Sequence, residues 1–414
     1  MILFQSGSLR KGLIIEWFAS YLSKRTQSVF VDGELSDPVV LECGVPQGSV
    51  LGPLLFLVYV AALPDETHID GVTIDQFSDD TQARAVFSFR KSTSRSHQYT
   101  TPSSGSLRNR SRLSALSHRC LNRGLRNSSR SSRDAPCFSS QTDAAAALSK
   151  WASSADRWFT TNKVKCNIDK TVMMYAAPNP SNLETADLRI GDSSLPPSAE
   201  CRHLGVIIDA RLTLASHVSA VCKSARYHLW RISRIRRSLD DGSTKSLVHS
   251  LVISRLVYAN SLFSSLPGKL LDCLQAVQNA AARLICGGSR RDEARPLLKQ
   301  LRWLPIREGI VFKVATFVYR ALNGTAPKYL ERRLVKRVPN REGLRQRPDD
   351  DLMLEVPLTR RARYGDRAFS VAAPRIWNSQ PGCVKSCLLS ENSSLNLKSI
   401  YSLVYILWIC RMLD

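Results

Sequence analysis

The chain has 414 residues, enough for two or three domains with a sizeable core, and its 43% hydrophobic content is that of a globular protein. A formal net charge of +23 favours a polyanionic partner, nucleic acid before a membrane surface, because Lys and Arg displace counterions from phosphates. Eleven cysteines without a CxxC pair, the closest two being Cys383 and Cys387 with no His nearby, argue against a zinc site and for reduced thiols. No secretory leader is read, and Tyr401 to Cys410 is roughly half the length that spans a bilayer, so the expectation is an intracellular protein of nucleus or cytoplasm, neither secreted nor membrane-bound.

Leu13 to Leu22 reads as an amphipathic helix with Ile14, Ile15, Phe18, Tyr21 and Leu22 close to one face. Two strands follow, Gln27 to Val31 and Val39 to Glu42, joined through an Asp32-Gly33 hairpin turn. The next stretch, Gly44-Val45-Pro46-Gln47-Gly48-Ser49-Val50-Leu51-Gly52-Pro53, is a glycine- and proline-rich turn leading into an apolar helix, Leu54 to Val60. A polar turn then gives way to a short strand, Val72 to Phe77, with Asp79-Asp80 at its tip.

Residues 88 to 142 differ from their surroundings. Ser and Arg dominate, and twelve basic residues with no Asp or Glu lie between Thr81 and Arg133. Such a segment buries too little apolar surface to fold alone, although Leu113, Leu116, Cys120 and Leu121 could line a short helix. Two readings stand: an arginine-rich RNA-binding loop, or, more simply, either a disordered insert or a stretch of translated DNA never selected as protein.

Order resumes with a helix from Ala144 to Phe159, presenting Leu148, Trp151, Ala155, Trp158 and Phe159 at helical spacing. A strand over Val172 to Tyr175 follows, and another over His203 to Ile208 contains Leu204-Gly205 and ends at Asp209. From Ser216 the pattern is helical, with an apolar stripe of Val218, Val221, Cys222, Ala225, Leu229, Ile232 and Leu239 and a basic remainder. Further helices are expected near 243 to 264, at 268 to 286 before Gly287-Gly288, and from Pro305 to about Asn323-Gly324. After Glu331 the chain reads as basic turns with short apolar segments.

Adjacent carboxylates on a hairpin are suited to Mg²⁺, which takes oxygen ligands and is shared between one or two carboxylates and substrate phosphates. Taken alone, Asp79-Asp80 is most simply a solvated turn, and Gly44, Gly48 and Gly52 equally suit a tight turn before the helix. Together, GVPQGSVLGPLLF followed by FSDDT resembles motifs B and C of the reverse transcriptases of non-LTR (LINE-type) retrotransposons, with matching spacing. Downstream, Trp158, Asn162, Lys163, Asn167, Lys170 and Thr171 resemble motif D, and Leu204-Gly205 resembles the primer-grip turn. Leu301-Arg302-Trp303-Leu304-Pro305-Ile306, Tyr364-Gly365-Asp366-Arg367-Ala368-Phe369 and Trp377-Asn378 are landmarks of the same elements, so that the resemblance covers about residues 12 to 87 and 143 to 382.

That resemblance implies an α/β fold: a partial reverse-transcriptase palm, a small antiparallel sheet with flanking helices, followed by an all-α thumb-like domain. The implied boundaries are 1–87 (partial palm), 88–142 (insert), 143–209 (rest of palm), 210–335 (thumb) and 336–414 (basic C-terminal region). It implies RNA-directed DNA polymerisation with an RNA template, a DNA primer, dNTPs and Mg²⁺. Asp79 takes the place of a metal-binding and catalytic Asp with Asp80 assisting, and Lys170 that of a basic residue that protonates the leaving pyrophosphate. Gly44, Pro46, Gln47 and Gly48 would touch template or nucleotide, with Phe77, Leu204 and Gly205 as further substrate contacts. Ser78 replaces the more usual Ala beside the pair.

Two departures follow from the same comparison. The family's other metal-binding Asp, in motif A, precedes the helix that corresponds to Leu13–Leu22, and the chain is read as starting too late to hold it. Two-metal chemistry is therefore expected to fail. The Ser/Arg segment also stands where the family has a short connection. The alternative is a non-catalytic nucleic-acid-binding remnant of a mobile element.

Overall fold

The computed structural model describes residues 10–45, 48–87, 137–177, 183, 186–337, 353–359, 365–382 and 385. Several readings lie outside the described residues: Pro46 and Gln47, residues 88–136 with the short helix at Leu113 to Leu121, Tyr364, Cys383, Cys387 and the Tyr401–Cys410 tract. The fold is mixed α/β with small, mainly antiparallel sheets, and it divides into two units. Among the described residues no helix is long and apolar enough to cross a membrane.

The first unit (Met1–Met173 and Asn182–Pro197) begins with α1, Arg10–Leu22. The two expected strands become a nested pair of ladders. β1 (Arg25–Gln27) pairs with β4 (Val39–Leu41), and inside them β2 (Phe30–Val31) pairs with β3 (Glu34–Leu35). The inner turn is the expected Asp32-Gly33, with φ of 51° and 92°, as a type I′ hairpin requires. The outer strand breaks because Val29 exchanges hydrogen bonds with Ser36, donating to its Oγ at 2.9 Å and accepting from its N–H at 2.9 Å.

α2 (Gly52–Val60) starts with Pro53 in its first turn, where the missing N–H costs nothing, and α3 (Leu63–Glu66) follows. β5 (Val72–Phe77) and β6 (Asp80–Phe87) form an antiparallel hairpin from Val72↔Ala85 to Phe77↔Asp80, and β7 (Cys137–Phe138) joins β6 in parallel. α4 (Gln141–Thr161) is capped by Ser140, whose Oγ accepts from the Asp143 N–H at 3.1 Å. Residues 137–142, grouped by sequence with the Ser/Arg segment, thus supply β7 and the start of α4.

α4 packs against the hairpin and buries Ala155 and Trp158 with Leu63 of α3. Two long-range hydrogen bonds fix this arrangement: Trp158 Nε1 donates to Glu66 Oε2 at 2.6 Å, and Tyr59 Oη donates to the Asn162 carbonyl at 2.7 Å. The hairpin is tied to α2 by Gln76 Nε2 donating to the Val60 carbonyl at 3.2 Å. β8 (Leu188–Ile190) and β9 (Ser193–Leu195) complete the unit. The strand expected over Val172 to Tyr175 is only an isolated bridge from Met173 to Pro197, since proline has no N–H with which to extend a ladder.

In the second unit (Met174–Ser181 and Ser198–Asp414), the single strand expected over His203 to Ile208 is a hairpin. β10 (Glu200–His203) and β11 (Val206–Asp209) turn back at Leu204 and Gly205, whose φ of 45° and 80° give another type I′ turn. Then come α5 (Ala215–Ile235), α6 (Asp241–Val248), a π turn at His249–Ile253, α7 (Ser254–Val257) and a 3₁₀ turn at Asn260–Phe263. The one helix expected near 243 to 264 is therefore interrupted, first by the π turn and then by Ala259 at φ 51°. α8 (Gly268–Cys286) ends as expected at Gly287, which takes φ 68° while the Gly288 N–H bonds the Arg283 carbonyl at 2.9 Å. α9 (Ala294–Gln300), α10 (Ile306–Leu322) and α11 (Lys328–Glu331) follow.

The expected stripe on α5 is the core of this unit. Val218, Cys222, Ala225, Leu229 and Ile232 are buried against Val248, Leu256, Leu274 and Val277. A second core gathers Val314 and Val318 of α10 with Ala373 and Trp377 of α12 (Phe369–Asn378). α12 corrects the reading of this region as turns and short apolar segments. Pro374 lies inside it, where proline normally breaks a helix, and burial of Val371, Ala372, Ala373 and Trp377 offsets the lost hydrogen bond. Asn378 fastens the helix to residue 354, its Oδ1 accepting from the Leu354 N–H at 2.9 Å and its Nδ2 donating to the Leu354 carbonyl at 2.8 Å.

Candidate functional site

The β5–β6 hairpin sets out its acidic tip by register. Phe77 and Asp80 close the ladder, and Ser78 and Asp79 make the two-residue turn. Ser78 takes φ 57°, a left-handed conformation that a non-glycine residue adopts at some cost. Phe77 is 64% exposed, and Ser78, Asp79 and Asp80 are exposed with it. Both carboxylates therefore face water at the end of a hairpin that is tied to α2 through Gln76, next to the tip, and packs against α4. Asp75, the remaining carboxylate of β5, is ion-paired with Arg84 across the ladder.

The glycine-rich turn stands on separate supports. Gly44 and Gly48 take φ of 86° and 81°, and a Cβ built on either meets nothing within 4 Å, so backbone conformation rather than crowding calls for glycine. Arg25 Nη2 donates to the Gly44 carbonyl at 2.6 Å, holding the turn to the β1–β4 ladder. Ser49 Oγ accepts from the Gly52 N–H at 3.0 Å and leads the chain into α2. Lys170 ends a 3₁₀ turn, Ile168–Lys170, capped by Asn167 Oδ1, which accepts from the Lys170 N–H at 3.2 Å; its side chain is exposed.

The structure thus brings Phe77, Asp79 and Asp80 together on one tip. Among the described residues, no hydrogen bond or ion pair links that tip to Gly44, Gly48 or Lys170. Nor does any group of three or more His, Cys, Asp or Glu side chains stand together among them to hold a metal ion. The tip's two carboxylates suit one Mg²⁺ shared with substrate phosphates. Both carboxylates come from this one hairpin.

Leu204 and Gly205 belong to the second unit, at the tip of the β10–β11 hairpin. Tyr258 Oη donates to the Leu204 carbonyl at 2.5 Å, and a Cβ on Gly205 would lie 3.4 Å from the same ring. Sequence reading missed Tyr258, since nothing in the residues around it marks it. At the other end of β11, Asp209 organises the entry to α5. Its Oδ1 accepts from the Arg211 and Thr213 N–H groups, and its Oδ2 from the Leu214 N–H at 2.7 Å and the Thr213 hydroxyl at 3.1 Å. Partial burial pushes the Asp209 carboxyl up, but these hydrogen bonds outweigh it and hold the carboxyl below its ordinary value. His217, buried on α5, accepts from the Ile207 N–H through Nδ1 at 3.3 Å; burial and then the Arg202 charge push its pKa down.

Comparison with curated proteins finds the same ancestry as the two motifs. The chain is 23% identical over 289 residues to the RNA-directed DNA polymerase from mobile element jockey of Drosophila funebris, covering 69% of this chain and 26% of that protein. It is 26% identical over 275 residues to the probable RNA-directed DNA polymerase from transposon X-element of Drosophila melanogaster (65% and 24%). The corresponding protein from transposon BS of the same species is 25% identical over 278 residues (64% and 25%). The chain is a relative of non-LTR retrotransposon reverse transcriptases. It spans about a quarter of the length of these reverse transcriptases. No family model matches it, and no solved structure matches it.

Proposed function

We propose that this chain is the part of a non-LTR reverse transcriptase that carries motifs B and C and the thumb, and that alone it does not polymerise. Four observations support the reading: the exposed Asp79-Asp80 tip, the glycine-rich turn before α2, the helical second unit, and the relationship to the mobile-element polymerases. In this reading the first unit together with residues 198–209 is palm, residues 210–335 with α5 to α11 are thumb, and RNA template, DNA primer and dNTPs are the ligands. Asp79 and Asp80 would hold Mg²⁺, which when bound supplies positive charge to the nucleotide's phosphates. Phe77 would pack beside the nucleotide, Gly44, Pro46, Gln47 and Gly48 would let template or nucleotide approach the backbone, and Lys170 would deliver a proton to pyrophosphate. The Leu204-Gly205 turn would carry the primer terminus.

The observation that carries the inactivity is the ligand set. The tip's carboxylates come from one hairpin, and among the described residues no third joins them. Without a carboxylate from a second segment, nothing positions the attacking 3′-oxygen. Primer extension on an RNA template tests this directly: no product is expected.

A second reading, a non-catalytic nucleic-acid-binding remnant, draws on the net charge of +23. It predicts RNA affinity that falls steeply with salt, because each phosphate contact releases counterions. A flat salt response sinks it.

A further inference from the structure

α5 has two faces of opposite character. Its inner face is the apolar core stripe; along its 21 residues, ASHVSAVCKSARYHLWRISRI, there is no Asp or Glu. Lys223, Arg226, Tyr227, Trp230, Arg231 and Arg234 recur at three- and four-residue spacing on the outer face, and all are exposed. Tyr227 is 53% and Trp230 56% exposed, unusually wet for rings of this size.

The rings and cations are interleaved. The Tyr227 and Trp230 centroids lie 6.3 Å apart with a 30° tilt. The Arg231 guanidinium lies over the Tyr227 ring at 5.8 Å, and the Arg234 guanidinium over the Trp230 ring at 5.7 Å. Arg255, from α7, adds a further cation beside this face through a 3.2 Å contact with His228 Nε2. From Lys223 to Arg234 the stripe extends about 16 Å, three helical turns.

We propose that this face is a base-stacking platform for single-stranded nucleic acid, with Tyr227 and Trp230 taking unpaired bases and Lys223, Arg226, Arg231 and Arg234 taking the phosphates on either side. Exposed aromatic rings offer a flat surface to any base, and guanidinium planes extend it. A duplex keeps its bases stacked on one another and leaves both rings unused. The positive charge of α5, which carries no Asp or Glu, fits a polyanion and would repel basic partners. The inference goes beyond polymerase chemistry, since it requires nothing of Asp79.

The test is fluorescence anisotropy with the full chain and a labelled twelve-nucleotide oligoadenylate RNA, without dNTPs or Mg²⁺. An inactive Asp79 hairpin therefore cannot affect the result. Trp230→Ala and Tyr227→Ala should each weaken binding by about tenfold, the scale of one lost base–aromatic stack. Trp230→Phe should retain most of the affinity, and far-UV circular dichroism should show all three variants folded. An abasic strand of equal length and charge should bind the parent chain more weakly and ignore Trp230→Ala. The proposal is overturned if the alanine variants bind the RNA like the parent chain, or if they lose equal affinity for the abasic strand. It is equally overturned if Trp230→Ala abolishes binding to phosphatidylserine vesicles while RNA binding stays intact, which would make the face a membrane surface.

Discussion

The Tyr258 hydroxyl donates a 2.5 Å hydrogen bond to the carbonyl of Leu204, joining the end of α7 to the tip of a hairpin 54 residues earlier. Leu204 is held at φ 45° and Gly205 at φ 80°, a geometry that the tyrosine ring both braces and restricts. Tyr258→Phe should lower stability by about 0.5–1.5 kcal/mol, the net worth of one hydrogen bond. Gly205→Ala should cost about 1 kcal/mol, through strain at positive φ, since the added methyl would make only ordinary contact with the ring. Urea unfolding of each variant reads both values, and an unchanged midpoint for Tyr258→Phe would remove the brace.

The Leu301–Ile306 landmark is clamped from α8. Gln278 Nε2 donates to the Leu304 carbonyl at 3.0 Å, and Gln275 Oε1 accepts from the Ile306 N–H at 2.8 Å, satisfying one of the free donors at the start of α10. The two side chains also bond each other at 2.9 Å. Gln278→Ala should therefore cost about 1–3 kcal/mol, because it strands a buried carbonyl. A double-mutant cycle with Gln275→Ala should be non-additive by about 0.5 kcal/mol or more. Strict additivity in thermal or urea unfolding would show the clamp to be two independent contacts.

Asp209 makes the second unit sensitive to acid. Its folded-state pKa lies below the ordinary carboxylate value, so the carboxylate's contribution to stability is fully present above the unfolded pKa of about 3.9. That contribution is lost as pH falls through the depressed folded value. Asp209→Ala should lower stability by about 1–2 kcal/mol at neutral pH, by releasing the Thr213 and Leu214 N–H groups. The difference between parent and variant should narrow as pH drops below about 4, where Asp209 of the unfolded chain takes up a proton before that of the folded chain does. A difference that stays constant from pH 7 to pH 3 would show that the carboxylate charge contributes nothing.

These features differ in how far the residues announced them. β5 was legible to its ends, because a stretch rich in Val, Thr, Ile and Phe is bounded by Gly71 and the acidic tip. α8 was equally legible, since Gly287 takes the left-handed conformation that ends a helix. The β10–β11 hairpin was not, because Leu204 occupies a positive-φ position that is usually signalled by Asn, Asp or Gly. α12 was hidden by Pro374, which only tertiary burial around Trp377 makes tolerable. Of the site, the Asp79-Asp80 tip could be read locally, since a hairpin register follows from its own residues. Tyr258, Gln275 and Gln278 could not, because each acts on a backbone group from 26 to 54 residues away and nothing in the residues around it encodes that partner.

Primer extension measures the central claim most directly. The full chain, its Asp79→Ala variant and an active reverse transcriptase are incubated in parallel with an RNA template, annealed DNA primer, dNTPs and Mg²⁺. The proposed reading predicts no product from the full chain above the level of Asp79→Ala, while the active enzyme extends the same primer. Mg²⁺-dependent extension by the full chain that disappears in Asp79→Ala would contradict it, and would show that the hairpin works in a complete site.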